Sequence, residues 1–185
     1  MSAVSDETEK NQKIEKLISR MSNGDKNAIG ELYELVKTDV YAYALSKLKS
    51  RDDAEDVLHD TFVRLYRYSG KYEARGKPMA WIFTITMNLA KRQAELRRRH
   101  ISYDETIGDE QEAPESLETQ TAMSDFVRCI LQILDDEERE IVVLHAVSGM
   151  KHREIAALLD KPLATVLSKY SRAIKKLQSA EEVNL

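Results

Sequence analysis

Apolar residues recur along most of this chain at three- and four-residue spacing, the period of an amphipathic helix. Ile14, Leu17, Ile18 and Met21 form the first stripe, which Ser22-Asn23-Gly24-Asp25 interrupts. Residues 1–10 carry no such period and read as a mobile tail. A second helix is predicted over 26–49, because Ile29, Leu32, Tyr33, Val36, Val40, Tyr43, Ala44 and Leu48 keep to one face. Arg51-Asp52-Asp53 opens a third, with Ala54, Val57, Leu58, Phe62 and Leu65 inward and Glu55, Asp56, His59, Asp60 and Arg64 on its other faces. Acids in its first turn suit the positive end of the helix dipole. The glycines and basic residues of 68–78 predict a loop, and a fourth helix starts near Pro78, whose missing N–H is harmless in a first turn. That helix is apolar in its first half and strongly basic in its second.

Beyond residue 100 the pattern lapses and then resumes. Seven acids lie between Asp104 and Glu118 with no lysine or arginine among them, which predicts an acidic linker. Four further helices follow in pattern. They run over 124–134, over 136–148 with Asp135 and Glu138 as a capping box and Gly149 as the stop, over 152–159, and over 163–180. The fold class is therefore all-α, with two small helical domains joined by an acidic flexible linker. The predicted divisions are 1–24 for the tail and leading helix, 25–100 for the first domain, 101–122 for the linker, 123–180 for the second domain and 181–185 for a tail.

Composition narrows the picture. Six glycines and three prolines in 185 residues are few for a turn-rich fold. One cysteine, Cys129, excludes an internal disulfide and a cysteine-rich zinc site. The polar start and the lack of any run near the roughly 20 apolar residues that cross a bilayer predict a cytoplasmic protein, neither exported nor inserted. The net charge of −4 excludes a uniformly basic coat, so the segregation of charge matters more than its sum.

That segregation is clearest in the last two helices. Ile155, Ala156 and Leu159 face inward, Asp160-Lys161 turns the chain, and Leu163, Val166, Tyr170, Ile174 and Leu177 form the next buried stripe. Thr165, Ser168, Lys169, Arg172, Lys175 and Lys176 remain outside. From Lys151 to Lys176 there are seven Lys or Arg against Glu154 and Asp160. A short helix, a tight turn and a cationic second helix make a helix-turn-helix, whose early side chains can meet base edges while later cations neutralise phosphates. The alternative is a helical hairpin with a solvated basic face. A second basic concentration, Lys91, Arg92 and Arg97 to Arg99, suits phosphates. The loop before it interleaves Tyr68, Lys71, Tyr72, Arg75 and Lys77, a mixture suited to unstacked bases but equally found at a core rim. Trp81 is assigned to the core.

The order DAEDVLHDTFVRLYRY, loop, AWIFTITMNLAKRQAELRRR, acidic linker, then LDDEEREIVVLHAVSGMKHREIAALLDKPLATVLSKYSRAIKKL resembles a sigma factor of the extracytoplasmic-function type, over residues 25–178. The resemblance implies a subunit that binds core RNA polymerase through Asp53, Glu55, Asp56, His59 and Asp60. It implies minus-ten recognition and melting by Lys71, Tyr72, Arg75, Lys77, Asn88, Lys91 and Arg92, and minus-thirty-five recognition by Thr165, Ser168, Lys169, Arg172, Lys175 and Lys176. The linker would thread toward the polymerase active centre, and the resemblance leaves an anti-sigma factor open as a further partner. His59 stands where glutamine is usual, Arg92 where an acid is usual, Asp160 where glycine is usual and Leu167 where a cation is usual. Lys151 replaces a Ser or Thr helix cap, an exchange that costs about 1 kcal/mol.

No cofactor, metal or catalytic site is expected. Glu55 and His59 lie four apart, as do Asp56 and Asp60, but a metal site needs three or four ligands, and His100, His145 and His152 fall in other segments. Two other functions compete at this stage: a regulator using the helix-turn-helix alone, and a helical adaptor whose charged faces meet only proteins.

Overall fold

The structure is a computed structural model that describes residues 2–103 and 130–183, with side chains over 8–99 and 130–180. Four long helices build the first half: α1 (Ser2–Ser22), α2 (Asn27–Leu48), α3 (Arg51–Tyr68) and α4 (Pro78–Tyr103). Three helices follow in the second half: α5 (Asp136–Val142), α6 (His152–Leu158) and α7 (Leu163–Val183). A single 3-10 turn, Ser69–Lys71, closes α3, and a π-helical turn, Val143–Val147, closes α5. No strand occurs among the described residues. The acidic linker and most of the helix expected from Ser124 lie outside them; 130–133 are helical.

Each boundary has a local cause. Lys49 adopts a left-handed φ of 56° and returns its N–H to Leu45 O, ending α2. Ser50 then accepts the N–H of Asp53 at 3.4 Å and starts α3. Asp135 accepts from Glu138 N at 2.8 Å while Glu138 accepts from Asp135 N at 3.2 Å, so the predicted capping box forms. Gly149 takes a φ of 72°, a left-handed conformation in which a Cβ is strained, and stops the π turn.

The leading helix differs from expectation. Residues 2–10 continue α1 rather than forming a tail. Lys10 Nζ lies 2.7 Å from the buried carboxylate of Asp39 on α2, an ion pair that fastens α1 to α2 one turn ahead of the apolar stripe and leaves no apolar period. Burial pushes the Asp39 carboxyl upward and Lys10 opposes that shift. Ile14, Leu17, Ile18 and Met21 then pack into the core as the stripe predicts.

Fully buried Leu32, Val36, Tyr43, Leu65, Ile82 and Phe83 centre the first half, each stabilising it by about 1.5 to 3 kcal/mol as a buried apolar side chain. The second half is smaller, with Ile130, Ile141, Leu144, Ile155, Val166 and Ala173 at its centre. The two halves touch through α2, which meets α5 and the π turn, and through α4, which meets α6. Glu140 accepts from Tyr43 Oη at 2.5 Å and from Lys47 Nζ at 3.0 Å, and Arg139 donates to Ser46 O at 3.1 Å. Burial, then the Glu140 charge, drives the Tyr43 phenol well above its ordinary range.

Candidate functional site

Three surfaces carry the residues singled out in the sequence. The first is α3, whose inner face of Ala54, Val57, Thr61, Phe62 and Leu65 is buried against its neighbours. Glu55, Asp56, His59 and Asp60 are exposed on the opposite side, together with Val63 at 44 % and Tyr66 at 39 % exposure. Acids and large apolar groups on one uncovered helix face suit a protein partner, since burying Val63 and Tyr66 supplies area and the acids supply orientation. Asp53 does not belong to this face. It turns toward α4, where Gln93 Nε2 donates to it at 2.6 Å and Arg97 lies 3.3 Å away.

The second surface runs along α4. Thr84, Asn88, Lys91 and Arg92 are exposed at three- and four-residue spacing, so they share one polar stripe, with Lys77 at its start. Thr84 was not anticipated, although it sits four residues before Asn88. In the loop, Lys71 is exposed and its ammonium lies 5.4 Å from the Tyr68 ring, while Arg75 pairs with Glu73. Tyr72 departs from the predicted base-stacking role. Its ring packs on Trp81 at 4.9 Å and its hydroxyl donates to Glu15 Oε1 at 2.8 Å, so it is half-buried and engaged. Burial and then this hydrogen bond raise its pKa. Glu15 also accepts the Gly76 N–H at 2.9 Å, so one α1 carboxylate pins both ends of the loop. Trp81 is half-buried against the core, as assigned.

The third surface is the helix-turn-helix. Asp160 takes a left-handed φ of 50° in the turn where glycine is usual, a conformation that Asp tolerates better than most residues. Lys161 N donates to Ala156 O at 2.9 Å and closes the turn. Behind it, His145, His152 and Tyr170 stack with centroids 4.1 to 4.8 Å apart, and His145 Nδ1 lies 2.8 Å from Met150 O. The three rings join the π turn, α6 and α7. Among the described residues no group of three or more potential metal ligands comes together.

On α7, Ser168, Arg172, Lys175 and Lys176 are exposed, flanked by Ala164, Leu167 and Ser171. Thr165 and Lys169 are half-buried rather than fully outward. Lys169 Nζ lies 2.6 Å from Glu137 Oε2, and Lys176 Nζ lies 2.7 Å from Glu138 Oε2. Two of the six side chains predicted for this face are thus engaged by α5, while Arg172 and Lys175 have no ion pair among the described residues.

The described residues are helical apart from turns and place a helix-turn-helix behind a larger helical domain, an arrangement used by proteins that dock a helix on duplex DNA. The Sigma-70 region 2 family matches residues 32–100, and the Sigma-70, region 4 family matches residues 127–177. The sigma-E factor of Haemophilus influenzae, of the extracytoplasmic-function class, is 23% identical over 175 residues, covering 88% of this chain and 92% of that protein. The class factor EcfG of Rhodopseudomonas palustris is 29% identical, covering 75% of this chain and 76% of that one. Bacillus subtilis SigM is 26% identical, with 82% and 93% covered. The structure is similar to that of the sigma factor RpoE in complex with the anti-sigma factor NepR from Bartonella quintana, with TM-score 0.68, 26% identity and coverage of 84% of this chain and 98% of that one. The fold also matches that of CnrH, solved with the cytosolic domain of CnrY, with TM-score 0.64 over 94% of this chain and 99% of that one. The chain belongs to the sigma-70 family and, within it, to the extracytoplasmic-function type. It is a transcription initiation factor that binds RNA polymerase and DNA.

Proposed function

We propose that this sigma factor docks on core RNA polymerase through the uncovered face of α3, led by Glu55, Asp56, His59 and Asp60. The α4 stripe of Asn88, Lys91 and Arg92, with Lys71, Arg75 and Lys77 before it, engages the opened minus-ten element. The outward face of α7, led by Ser168, Arg172 and Lys175, reads the duplex minus-thirty-five element. The observation that carries this reading is spatial segregation: an acidic, partly apolar face on α3 against cationic faces on α4 and α7. Asp53 serves as a positioning residue, since it holds Gln93 and Arg97 on the basic half of α4. Tyr72 and Glu15 shape the loop and leave Lys71 and Lys77 for the DNA strand, while Arg75 is shared with Glu73.

The two DNA elements lie roughly 25 base pairs apart, about 85 Å along a duplex at about 3.4 Å per pair. Two adjoining domains whose radii of gyration are each near 13 Å or below do not span that distance. Promoter engagement therefore requires α2 to part from α5 and the π turn, breaking the Tyr43–Glu140 contact, and α4 to part from α6. The acidic segment between Tyr103 and Ile130 threads into the polymerase. The work is done in the cytoplasm without cofactor or covalent chemistry; no described helix is long and apolar enough to cross a membrane. Because the Bartonella quintana relative was solved with an anti-sigma factor, such a protein is proposed as a partner here too.

The test is reconstitution. Core RNA polymerase lacking any other specificity subunit, mixed with this protein, is expected to give promoter-directed run-off transcripts and permanganate-reactive thymines near the start site. Failure at every promoter of the source genome contradicts the reading.

A further inference from the structure

The DNA-facing face of α7 is less cationic than its sequence, because α5 answers much of its charge. The first turn of α5 presents Glu137 and Glu138 toward that helix. Glu137 Oε2 lies 2.6 Å from Lys169 Nζ, and its other oxygen lies 2.9 Å from Lys161 Nζ in the turn. Glu138, almost wholly buried, holds Lys176 at 2.7 Å. Lys169 and then Lys161 draw the Glu137 carboxyl down to about 2, so it stays ionised at any physiological pH. Glu138 is also committed to the capping box, whereas the Glu137 carboxylate takes no part in it and pairs, among the described residues, with these two cations. A carboxylate bridging two ammonium groups at the edge of a DNA-binding face occupies them as a phosphate would.

We propose that Glu137 is a positioning and specificity residue: it sequesters Lys161 and Lys169 from phosphates, suppressing non-promoter binding by the helix-turn-helix until a correctly placed promoter phosphate displaces it. The inference rests on the reading of α7 as the duplex-binding helix. Sequence-independent affinity scales with the phosphates neutralised, each adding about 0.9 to the slope of log K against log salt. Masking two cations therefore weakens binding to arbitrary DNA. A promoter bound in register loses less, since base contacts by Ser168 and Arg172 are unaffected.

The experiment uses the full chain and a short duplex without promoter sequence, followed by fluorescence anisotropy between roughly 50 and 200 mM salt. Glu137→Gln keeps the shape and the hydrogen-bond acceptor but removes the charge. It is expected to raise affinity for that duplex about tenfold at the low-salt end and to steepen the salt slope by about 1 to 2. In Glu137→Gln with Lys169→Met, about half of the added slope should disappear. A merely structural role moves binding the other way, because a loosened α7 binds more weakly. An unchanged or reduced affinity with an unchanged slope overturns the proposal. Arg172→Ala separates the two levels: if it weakens duplex binding while Glu137→Gln changes nothing, the masking idea alone fails. If Arg172→Ala changes nothing in any background, the DNA-facing assignment of α7 fails.

Discussion

Two helices of this protein begin with acidic residues, and their fates differ. The first turns of α3 carry Asp52, Asp53, Glu55 and Asp56, and those of α5 carry Asp136, Glu137 and Glu138 behind the cap Asp135. On α3 only Asp53 is drawn inward; Glu55, Asp56 and the following Asp60 face solvent with no ion pair among the described residues. On α5, Asp135 and Glu138 close a capping box, and Glu137 and Glu138 hold Lys161, Lys169 and Lys176. No described helix covers the outer face of α3, whereas α7 lies against α5. A charge count therefore measures binding capacity only where no opposite charge folds onto it.

Stability should expose the contrast most strongly. Glu140→Ala on α5 leaves the Tyr43 hydroxyl and the Lys47 ammonium facing a vacated, buried site, and is expected to lower unfolding free energy by about 2 to 4 kcal/mol. Asp56→Ala on α3 should change it by no more than about 0.5 kcal/mol, as an exposed substitution away from packed features. Urea denaturation of both variants checks this, and equal losses would erase the distinction between the helices.

The caps sharpen the same comparison at smaller scale. Asp135→Ala removes half of a formed capping box and should cost about 1 kcal/mol. Ser50→Ala should cost less, because the hydroxyl reaches the Asp53 N–H only at 3.4 Å, a long and weak bond. Thermal unfolding of the two variants should rank them in that order; a larger loss at Ser50 would show that the α3 start depends on its cap after all.

The smallest effect is a pH dependence confined to the second half. Burial, then neighbouring His145, holds the His152 imidazole below its ordinary range. The unfolded chain therefore binds this proton more readily, so stability is full above the ordinary value of about 6.5 and is lost as pH falls through it toward the lowered folded value. His152→Gln should flatten that segment of the stability profile. An unaltered profile would assign the dependence to other groups.

Much of this was legible beforehand. The periodic stripes located α2, α3, α4 and α7 to within a few residues, and Asp135, Gly149 and Pro78 marked real boundaries. Asp160 was flagged as an odd turn residue, and its φ of 50° shows why glycine is usual there. The departures at Asp53, Tyr72, Lys10 and Lys169 share one cause, a partner distant in sequence. Asp53 is claimed by residues 40 and 44 positions away, and Tyr72 by Glu15, 57 positions away. Lys10 of α1 finds Asp39, 29 positions on, and Lys169 is turned aside by Glu137. Local periodicity shows which side of a helix is apolar. It does not show which polar side chain on the remaining sides will find a partner.

On the proposed reading, polymerase and DNA are held by different, separately charged faces. Two binding titrations of two variants test it most directly. Asp56→Arg with Asp60→Arg should weaken binding to core RNA polymerase at least about tenfold through charge reversal, with the protein still folded and its affinity for duplex DNA no lower. Arg172→Ala with Lys175→Ala should lower affinity for minus-thirty-five duplex at least about tenfold, at about 1 to 3 kcal/mol per contact, with polymerase affinity near wild type. Loss of polymerase affinity in the α7 variant, or full retention of it in the α3 variant, would contradict the division of the two faces.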